Sequence, residues 1–417
     1  MPSHGNPRIL AAMFFGGILL SYLLVTPRVY DYPEGSDFST FYTAGKIVRR
    51  GQSQRLYDWA LQTRVQSEFS RATVLRGRAL PYLRPPFEAL LFVPLSYLPY
   101  RTAFGVWIAL CGLFVGLSAM FLRSRIPDAP AIPWWLYYPA IFSFGPIAHG
   151  FALGQDCALV LFLFAWILIC LHEGKDFRAG CLLGLALIKF QLVLPLLFVF
   201  MVKKQFRTLA GFSSVAALLA AVGVWLLGWE GILGYATYLW QLNQRPLAAG
   251  IWPSMMPSIR GLAQGWGDMH SSVGLDLLVG MLSFVLLIWA AMQWDTTAPR
   301  RSRCYRVGIS ICFFATLLAG YHASGYDMSL LFPVVLYAAN SGWYDRELDV
   351  RTRGILLLGS ALLLCAPLYL VLARHGQVNL LAVAVLVLVW GYSRTIRVGL
   401  PERAVVPALP SKFKKKK

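Results

Sequence analysis

Long uncharged apolar stretches recur along this chain of 417 residues. Five of them have about 18 or more residues, the length at which a helix crosses the ~30 Å hydrocarbon layer of a bilayer. These five stretches are 9–26, 103–122, 208–228, 354–373 and 376–393. Their number excludes a soluble fold and predicts an all-α polytopic membrane protein, because only helices satisfy their own backbone groups in lipid as single segments.

Shorter or interrupted apolar stretches are candidates for further crossings. They lie at 86–98, 133–151, 157–171, 179–200, 277–292, 307–320 and 328–340. Counting them predicts a bundle of about 11–13 transmembrane helices. The first stretch, 9–26, resembles a secretory signal peptide, but its length, its lack of a small-residue cleavage site and the spans that follow favour a first anchor.

Composition and charge agree with this class. Hydrophobic residues make up 57% of the chain and charged residues 14%, against roughly one quarter charged in soluble domains. The net charge of +19 would suggest nucleic acid in a soluble protein. Here most basic residues lie between apolar stretches and at the C-terminus, where Lys and Arg retain loops in the cytoplasm. We therefore expect no nucleic-acid partner.

Thiol, metal and cofactor signatures are weak. The seven cysteines lie in or beside apolar segments without a Cys-x-x-Cys pair. His149, His172 and His270 lack metal-ligand spacing, and the glycines form neither a P-loop nor a dinucleotide fingerprint. The sequence predicts no disulfide framework, no metal and no cofactor, and it disfavours a nucleotide-sugar donor.

Loop charge predicts the topology. The basic short loops are 123–125, 175–178, 203–207, 300–306, 346–353 and the tail from 394. All of them are expected in the cytoplasm. If both ends of 179–200 are cytoplasmic, this stretch must go out and return as two half-helices, with the turn at 189–191. Lys189 would then stand at the outer mouth of the membrane, where its charge costs less than facing lipid.

Three features remain on the outer side: the segment 27–85, the loop 229–270 and the turn at Tyr321 and His322. The first carries ten Lys or Arg, against the rule, but it is near the length at which loops translocate regardless of charge. We expect residues 1–400 to form one transmembrane domain and 401–417 a basic cytoplasmic tail near anionic lipid, with an added expression tag as the alternative.

The outer segment 27–85 predicts two amphipathic helices. After Ser36 and Asp37, an apolar stripe recurs at helical spacing, and the opposite face is basic. Its members are Phe38, Phe41, Tyr42, Gly45 and Val48. A second, weaker helix follows Asp58, which is expected to cap it. Both helices are predicted to lie along the outer leaflet rather than to cross it.

Several short motifs occur in a fixed order along the first half of the chain. They are Gly35-Ser36-Asp37-Phe38, Tyr42-x-Ala44-Gly45, Leu56-Tyr57-Asp58, Pro85-Pro86-Phe87-Glu88-Ala89-Leu90, Gly154-Gln155-Asp156 and Ala179-Gly180 followed by Lys189. In this order and membrane placement the sequence resembles glycosyltransferase family 87 over most of residues 30–207. The resemblance implies a GT-C-type bundle that takes a sugar, mannose or another hexose, from a polyprenyl phosphate outside the cytoplasm.

The resemblance also implies a catalytic base, because an early acidic residue of the first outer loop has that role in this fold. By position this residue is Asp37. Displacing a phosphate from an anomeric carbon requires a base for the acceptor proton, and inversion needs no second acid because the leaving group is already a phosphate. The alternative is that Asp37 only stabilises a helix N-terminus.

Further candidates lie in the same predicted outer pocket. Lys189, Arg84 and His322 are expected to bind the donor phosphate. Gln155, Asp156 and Asp327 are expected to contact sugar or acceptor hydroxyls. The alternatives are a snorkelling lysine for Lys189, a lipid-headgroup contact for Arg84, which departs from the family's usual aromatic or proline-flanked residue, and polar helix starts for the others.

The predicted function is therefore a membrane glycosyltransferase of the cytoplasmic membrane with its site facing the periplasm or cell exterior. Its partners would be a polyprenyl-phosphate sugar donor, a lipid or glycan acceptor and membrane lipids. A transporter or flippase is the main rival, since polar residues in a bundle also mark substrate paths. A noncatalytic assembly subunit is a third possibility, and it predicts that Asp37 is dispensable.

Overall fold

The computed structural model describes residues 15–16, 18, 36–126, 133–244, 252–265, 273–339, 348–364 and 379–398. Most of the predicted anchor 9–26, part of the stretch 354–373, Cys365 and the tail 401–417 lie outside the described residues. In the described ranges the chain forms helices and no strand. This confirms the prediction of an all-α protein.

The helices follow the apolar pattern. In chain order they are α1 (Phe38–Arg49), α2 (Trp59–Ser67), α3 (Arg71–Arg76), α4 (Ala89–Phe92), α5 (Tyr100–Arg125), α6 (Trp134–Phe142), α7 (Gly145–Leu153), α8 (Cys157–His172), α9 (Asp176–Leu185), α10 (Phe190–Val202), α11 (Phe206–Gln244), α12 (Ile259–Gly265), α13 (Val273–Gln293), α14 (Arg303–Ala319), α15 (Leu331–Ala339), α16 (Val350–Leu364) and α17 (Leu380–Val398). Short 3-10 helices lie at Ser53–Arg55, Pro86–Glu88, Leu95–Tyr97, Ala186–Lys189, Pro253–Met255 and Gly325–Leu330.

Several helices have the length and composition of membrane spans. Four stretches of the described chain qualify: Tyr100–Arg125, Asp176–Val202, Phe206–Asn243 and Val273–Gln293. Shorter apolar helices lie at Cys157–His172, Gly325–Ala338 and Leu380–Ile396. The chain is therefore a multi-pass membrane protein, as predicted, and the total of about 11–13 spans stays a prediction.

The stretch Asp176–Val202 is broken at its centre. The 3-10 helix Ala186–Lys189 separates α9 from α10, and Lys189 has non-helical angles, φ −114° and ψ 65°. A Cβ on Gly180 would lie 1.9 Å from the carbonyl oxygen of Thr208, and one on Gly184 would lie 2.7 Å from Val215. α9 and α11 thus run side by side from the same end of the bundle, so α10 must return to that end. The predicted pair of half-helices is confirmed, although the stretch is long enough for one crossing.

Basic loops meet at that end of the bundle. Arg125 lies 3.2 Å from Glu173, and Arg300 lies 2.8 Å from Asp176. These contacts bring together the loops after α5, α8 and α13, which were predicted to share the cytoplasmic side. Arg300 also donates from Nη1 to the backbone oxygen of Leu171 at 3.5 Å. The grouping supports a common side for these loops.

Helix α1 forms where the stripe predicted it, but protein covers the stripe. Nine of its twelve residues are buried, and the Phe38 ring packs against Phe92 and Trp107 with centroids 6.2 and 6.4 Å away. The helix therefore packs within the bundle rather than presenting its apolar face to lipid. Its basic side is tied to α2, because Glu68 lies 2.7 Å from both Lys46 and Arg50.

Two other segments differ from their sequence patterns. The stretch 86–98 is not a continuous crossing, because Pro86 and Pro94 divide it into Pro86–Glu88, α4 and Leu95–Tyr97. Beyond the predicted span 208–228, the chain kinks at Gly228 (φ 72°) and continues as helix to Gln244, where a loop was expected. Tyr235 of this second part stacks on Tyr57 at 4.5 Å, so it covers the outer segment.

Candidate active site

Asp37 lies at the N-terminus of α1 without capping it. Its side chain accepts no hydrogen bond from the helix backbone. Instead, Gln155 Nε2 donates to Asp37 Oδ2 at 2.5 Å. The residue keeps some accessible surface, and burial raises its pKa against the opposing effects of Gln155 and Arg84. The alternative of a simple capping carboxylate therefore does not describe this side chain.

Gly154 places the next two site residues. It ends α7 in the left-handed region at φ 63°, which favours glycine. A Cβ there would lie 2.8 Å from Phe38 and 2.9 Å from the Phe104 ring, so the close approach also requires glycine. The turn carries Gln155 and Asp156 between α7 and α8, beside the start of α1.

Arg84 joins Gln155 to Asp156. Its Nη2 donates to Gln155 Oε1 at 3.1 Å and to Asp156 Oδ1 at 2.9 Å, while its Nε lies 2.9 Å from Asp156 Oδ2. The backbone is held as well, since the Tyr57 hydroxyl donates to the Arg84 carbonyl at 2.6 Å. Arg84 thus belongs to the predicted group, although here its partners are protein side chains.

Lys189 reaches the same group from the break between α9 and α10. Its Nζ lies 2.9 Å from Asp156 Oδ1, contacts Asp327 Oδ1 and sits 4.7 Å from the centroid of the Tyr326 ring. The side chain has no exposed surface. A snorkelling lysine does not fit this burial, and the open phosphate contact that we expected is occupied by two carboxylates.

Asp327 is fixed by its own turn. Its Oδ2 accepts from the backbone N–H of Ser324 at 2.8 Å, and Ser324 and Asp327 form a capping box at the start of Gly325–Leu330. The other oxygen contacts Lys189. Asp327 therefore combines the predicted helix-start role with a place in a buried ionic group, which consists of Arg84, Asp156, Lys189 and Asp327.

Glu88 adjoins this group, although the sequence analysis did not single it out. It is fully buried, and the Tyr82 hydroxyl donates to its Oε2 at 3.2 Å. Its carboxyl group is within hydrogen-bonding reach of Asp156, and burial raises the pKa of Glu88 well above its usual range. Glu88 Oε1 has no hydrogen-bond partner among the described residues, so a protonated Glu88 is free to donate to Asp156. The sequence signal that could have identified Glu88 is an acidic residue within an apolar stretch.

Comparison with known proteins identifies the family of this chain. A family model described as glycosyltransferase family 87 matches residues 82–320. The chain belongs to glycosyltransferase family 87. It is therefore a membrane glycosyltransferase, as the sequence motifs predicted. No curated protein and no solved structure matches the chain significantly.

The matched region of this family 87 enzyme contains most of the buried ionic group. Arg84, Glu88, Gln155, Asp156 and Lys189 lie within residues 82–320. Asp37, His322 and Asp327 lie outside it.

His322 lies in a second polar group. Its Nδ1 is 3.3 Å from Arg260 Nη1, and the Arg260 guanidinium lies 4.0 Å from the centroid of the Tyr321 ring. The Tyr321 hydroxyl donates to Asp276 Oδ1 at 2.8 Å. Burial and the Arg260 charge lower the pKa of His322 to about 4, so the imidazole is neutral at pH 7. The predicted phosphate candidates are thus divided between two groups.

Proposed function

We propose that this enzyme transfers a sugar, mannose or another hexose, from a polyprenyl-phosphate donor to a lipid or glycan acceptor at the outer face of the cytoplasmic membrane. Asp37 is the general base. The observation that carries this proposal is the position of Asp37: the residue is only partly buried, and its carboxylate is held by Gln155, which Arg84 holds in turn. A base must be reachable by the acceptor hydroxyl and held in one orientation.

The reaction is a single displacement. The acceptor hydroxyl oxygen bonds to the anomeric carbon, the bond from that carbon to the phosphate oxygen breaks, and the electron pair leaves with the phosphate. The hydroxyl proton passes to Asp37. One carboxylate is enough, because the phosphate does not need a proton in order to leave. Attack opposite the leaving group inverts the anomeric configuration.

We also propose roles for the remaining predicted residues, and the ion pairs of the site change one of them. Arg84, Lys189 and His322 are the proposed phosphate contacts, and Gln155, Asp156 and Asp327 the proposed hydroxyl contacts. Asp156 already pairs with both Arg84 and Lys189. A phosphate at the fully buried Lys189 must displace a carboxylate, so Lys189 serves first to hold Asp156 and Asp327 in place.

The outer location is supported by the position of the site along α8. Asp156 immediately precedes α8, and the Glu173 that pairs with Arg125 immediately follows it. At 1.5 Å per residue, a helix of 16 residues separates the two ends by about 24 Å. If the basic loops are cytoplasmic, the ionic group lies toward the other side of the membrane.

A donor panel tests the proposal. Purified enzyme would be incubated with polyprenyl-phosphate sugars, separately with nucleotide sugars, and with cell lipids as acceptors. Mass spectrometry would then detect a hexose added to a lipid. Product from polyprenyl-phosphate donors is expected, and product from nucleotide sugars alone would overturn the donor assignment. Translocation of a labelled lipid-linked sugar across proteoliposomes without transfer would instead favour the transporter.

A further inference from the structure

Arg260 has an unusual environment for a charged side chain. It is the second residue of α12 and only 1% exposed. Its Nη1 faces His322 Nδ1, which accepts from it as a neutral imidazole. Among the described residues, Arg260 Nε and Nη2 have no hydrogen-bond partner. A guanidinium with two buried unpaired donors is costly, because the lost hydration is not replaced.

The two unpaired donors lie on one edge of the guanidinium. Nε–H and Nη2–H point in the same direction, and their spacing matches two oxygens of a phosphate or carboxylate. Asp276 Oδ1 accepts from the Tyr321 hydroxyl, and no described residue accepts from Arg260 Nε or Nη2. The Tyr321 ring lies against the guanidinium at 4.0 Å and fixes its plane. The edge is therefore held in one orientation and has no counter-ion among the described residues, so an oxyanion that reaches it would satisfy both donors.

We propose that the Nε and Nη2 edge of Arg260 binds the phosphate group of the lipid-linked sugar donor, with His322 and Tyr321 as the residues that orient it. The anion site follows from the geometry, and only the identity of the phosphate's carrier rests on the proposed function. Unlike Lys189, Arg260 can take a phosphate without displacing a carboxylate.

The position of this site suits the reaction. His322 is four residues before Tyr326, whose ring contacts Lys189 and lies within electrostatic range of Asp37. The backbone between them is ordered by the bond from Ala323 N–H to the Gly320 carbonyl and by the Ser324 capping box. One short turn thus connects the proposed phosphate site to Tyr326, whose ring lies 4.7 Å from Lys189 Nζ. A donor sugar bound between them would have its phosphate leaving group at Arg260 and the acceptor hydroxyl on the side of Asp37.

Binding of polyprenyl phosphate without a sugar tests the proposal. Four full-length proteins in detergent would be titrated with this probe: the parent enzyme and the variants Arg260→Gln, Arg260→Lys and Arg64→Gln. Arg64 is an exposed arginine of α2 and controls for loss of one positive charge. We expect Arg260→Gln to weaken binding by about tenfold or more, Arg260→Lys to restore part of it, and Arg64→Gln to match the parent. Equal affinity of Arg260→Gln and parent would overturn the site.

Competing probes identify the source of the phosphate. Polyprenol, which lacks the phosphate, should bind parent and Arg260→Gln equally. Inorganic phosphate should compete with polyprenyl phosphate in the parent more than in Arg260→Gln. Vesicles of phosphatidylglycerol that compete as well as polyprenyl phosphate would overturn the donor assignment in favour of a general lipid headgroup.

Thermal stability separates a binding role from a structural one. Because the edge is unpaired, Arg260→Gln should leave the melting temperature of the unliganded enzyme unchanged or raise it, while reducing the stabilisation by polyprenyl phosphate. A lower melting temperature combined with weaker polyprenol binding would assign Arg260 to the fold and overturn the proposal. Arg260-dependent phosphate binding without sugar transfer from any polyprenyl-phosphate donor would reject the proposed function but not the site.

Discussion

Gln155 donates from Nε2 to Asp37 Oδ2 at 2.5 Å, across 118 positions of sequence. The opposite end of the same amide, Oε1, accepts from Arg84 Nη2 at 3.1 Å. Arg84 therefore fixes which way the amide points, and the amide fixes the carboxylate. The base is oriented through a chain of two hydrogen bonds, which is the arrangement that a positioned proton acceptor requires.

Replacement of Asp37 by asparagine should abolish transfer while the protein stays folded. The amide can keep the hydrogen bond from Gln155 but cannot take a proton at neutral pH. Loss of a general base costs about 10²–10⁴-fold in rate. The matched control is Asp58→Asn, because Asp58 caps α2 by accepting from the Leu61 N–H at 3.1 Å. Asp58→Asn should change the rate little; Asp37→Asn activity within about threefold of the parent would remove Asp37 from the mechanism.

The pH dependence of kcat/KM should show an acid limb set by Asp37. The carboxylate must be ionised to accept a proton, and burial raises its pKa above the ordinary value of 3.8. Activity should therefore rise with pH through a midpoint above 3.8. The same shift makes the folded state bind this proton more tightly, so the Asp37 contribution to stability falls as pH rises from 3.8 through the raised pKa.

The two effects can be measured together. Melting temperatures of parent and Asp37→Asn would be compared between about pH 4 and pH 7. The Asp37→Asn variant should not show the part of the fall in stability with rising pH that Asp37 causes. It should be at least as stable as the parent at pH 7. A parent whose acid limb lies at or below 3.8 would contradict the expected environment of Asp37.

Lys189 should be important for stability as well as activity. Lys189→Met leaves Asp156 and Asp327 without a cation that contacts both, and breaking a buried ion pair costs about 3–5 kcal/mol. Adding Asp327→Asn should recover part of that loss, because one of the two carboxylates is then neutral. The control is Lys175→Met, whose exposed pair with Glu173 at 2.5 Å should contribute about 0–1 kcal/mol. Lys189→Met with parental stability and about tenfold lower turnover would support the simpler phosphate contact.

Glu88 should tolerate glutamine but not alanine. Burial raises the pKa of Glu88 and favours its neutral form, and the glutamine amide is likewise a neutral group that can donate a hydrogen bond. Alanine leaves the Tyr82 hydroxyl with the Pro85 carbonyl as its acceptor and creates a cavity, which should lower the melting temperature by several degrees. Asp156→Asn should be worse than Glu88→Gln, since it leaves both Arg84 and Lys189 with one fewer carboxylate. Equal loss for glutamine and alanine would show that the Glu88 charge itself is required.

Membrane-impermeant thiol labelling tests the side of the site. Cysteines at Gln54 and Leu75, both exposed, should react in cells without an outer barrier, and a cysteine at Ser124 should react only after lysis. Thr73 is unsuited because it is 1% exposed and donates to Gln66 Oε1 at 2.7 Å. The partly exposed Cys181 and Cys304 would first be replaced by serine. The reverse labelling pattern would invert the topology.

The sequence by itself determined the class of fold, the break at Lys189 and the cap at Asp58. Each is encoded locally: apolar length decides whether a helix can cross a bilayer, basic flanks at 175–178 and 203–207 require a return, and a carboxylate caps the residues that follow it. The order of motifs was also enough to indicate family 87, which the match over 82–320 bears out.

Only the tertiary structure decided which side chains meet. Asp327 reaches Lys189 across 138 positions, and His322 lies beside Arg260 across 62, not beside Lys189. The burial of α1 and the contact of Glu88 with Asp156 likewise depend on how helices distant in sequence pack. A pattern along one helix states which face is apolar, but it does not state whether lipid or another helix covers that face. Pairing of buried charges depends on that packing, because each charge takes whichever partner the assembled bundle brings within reach.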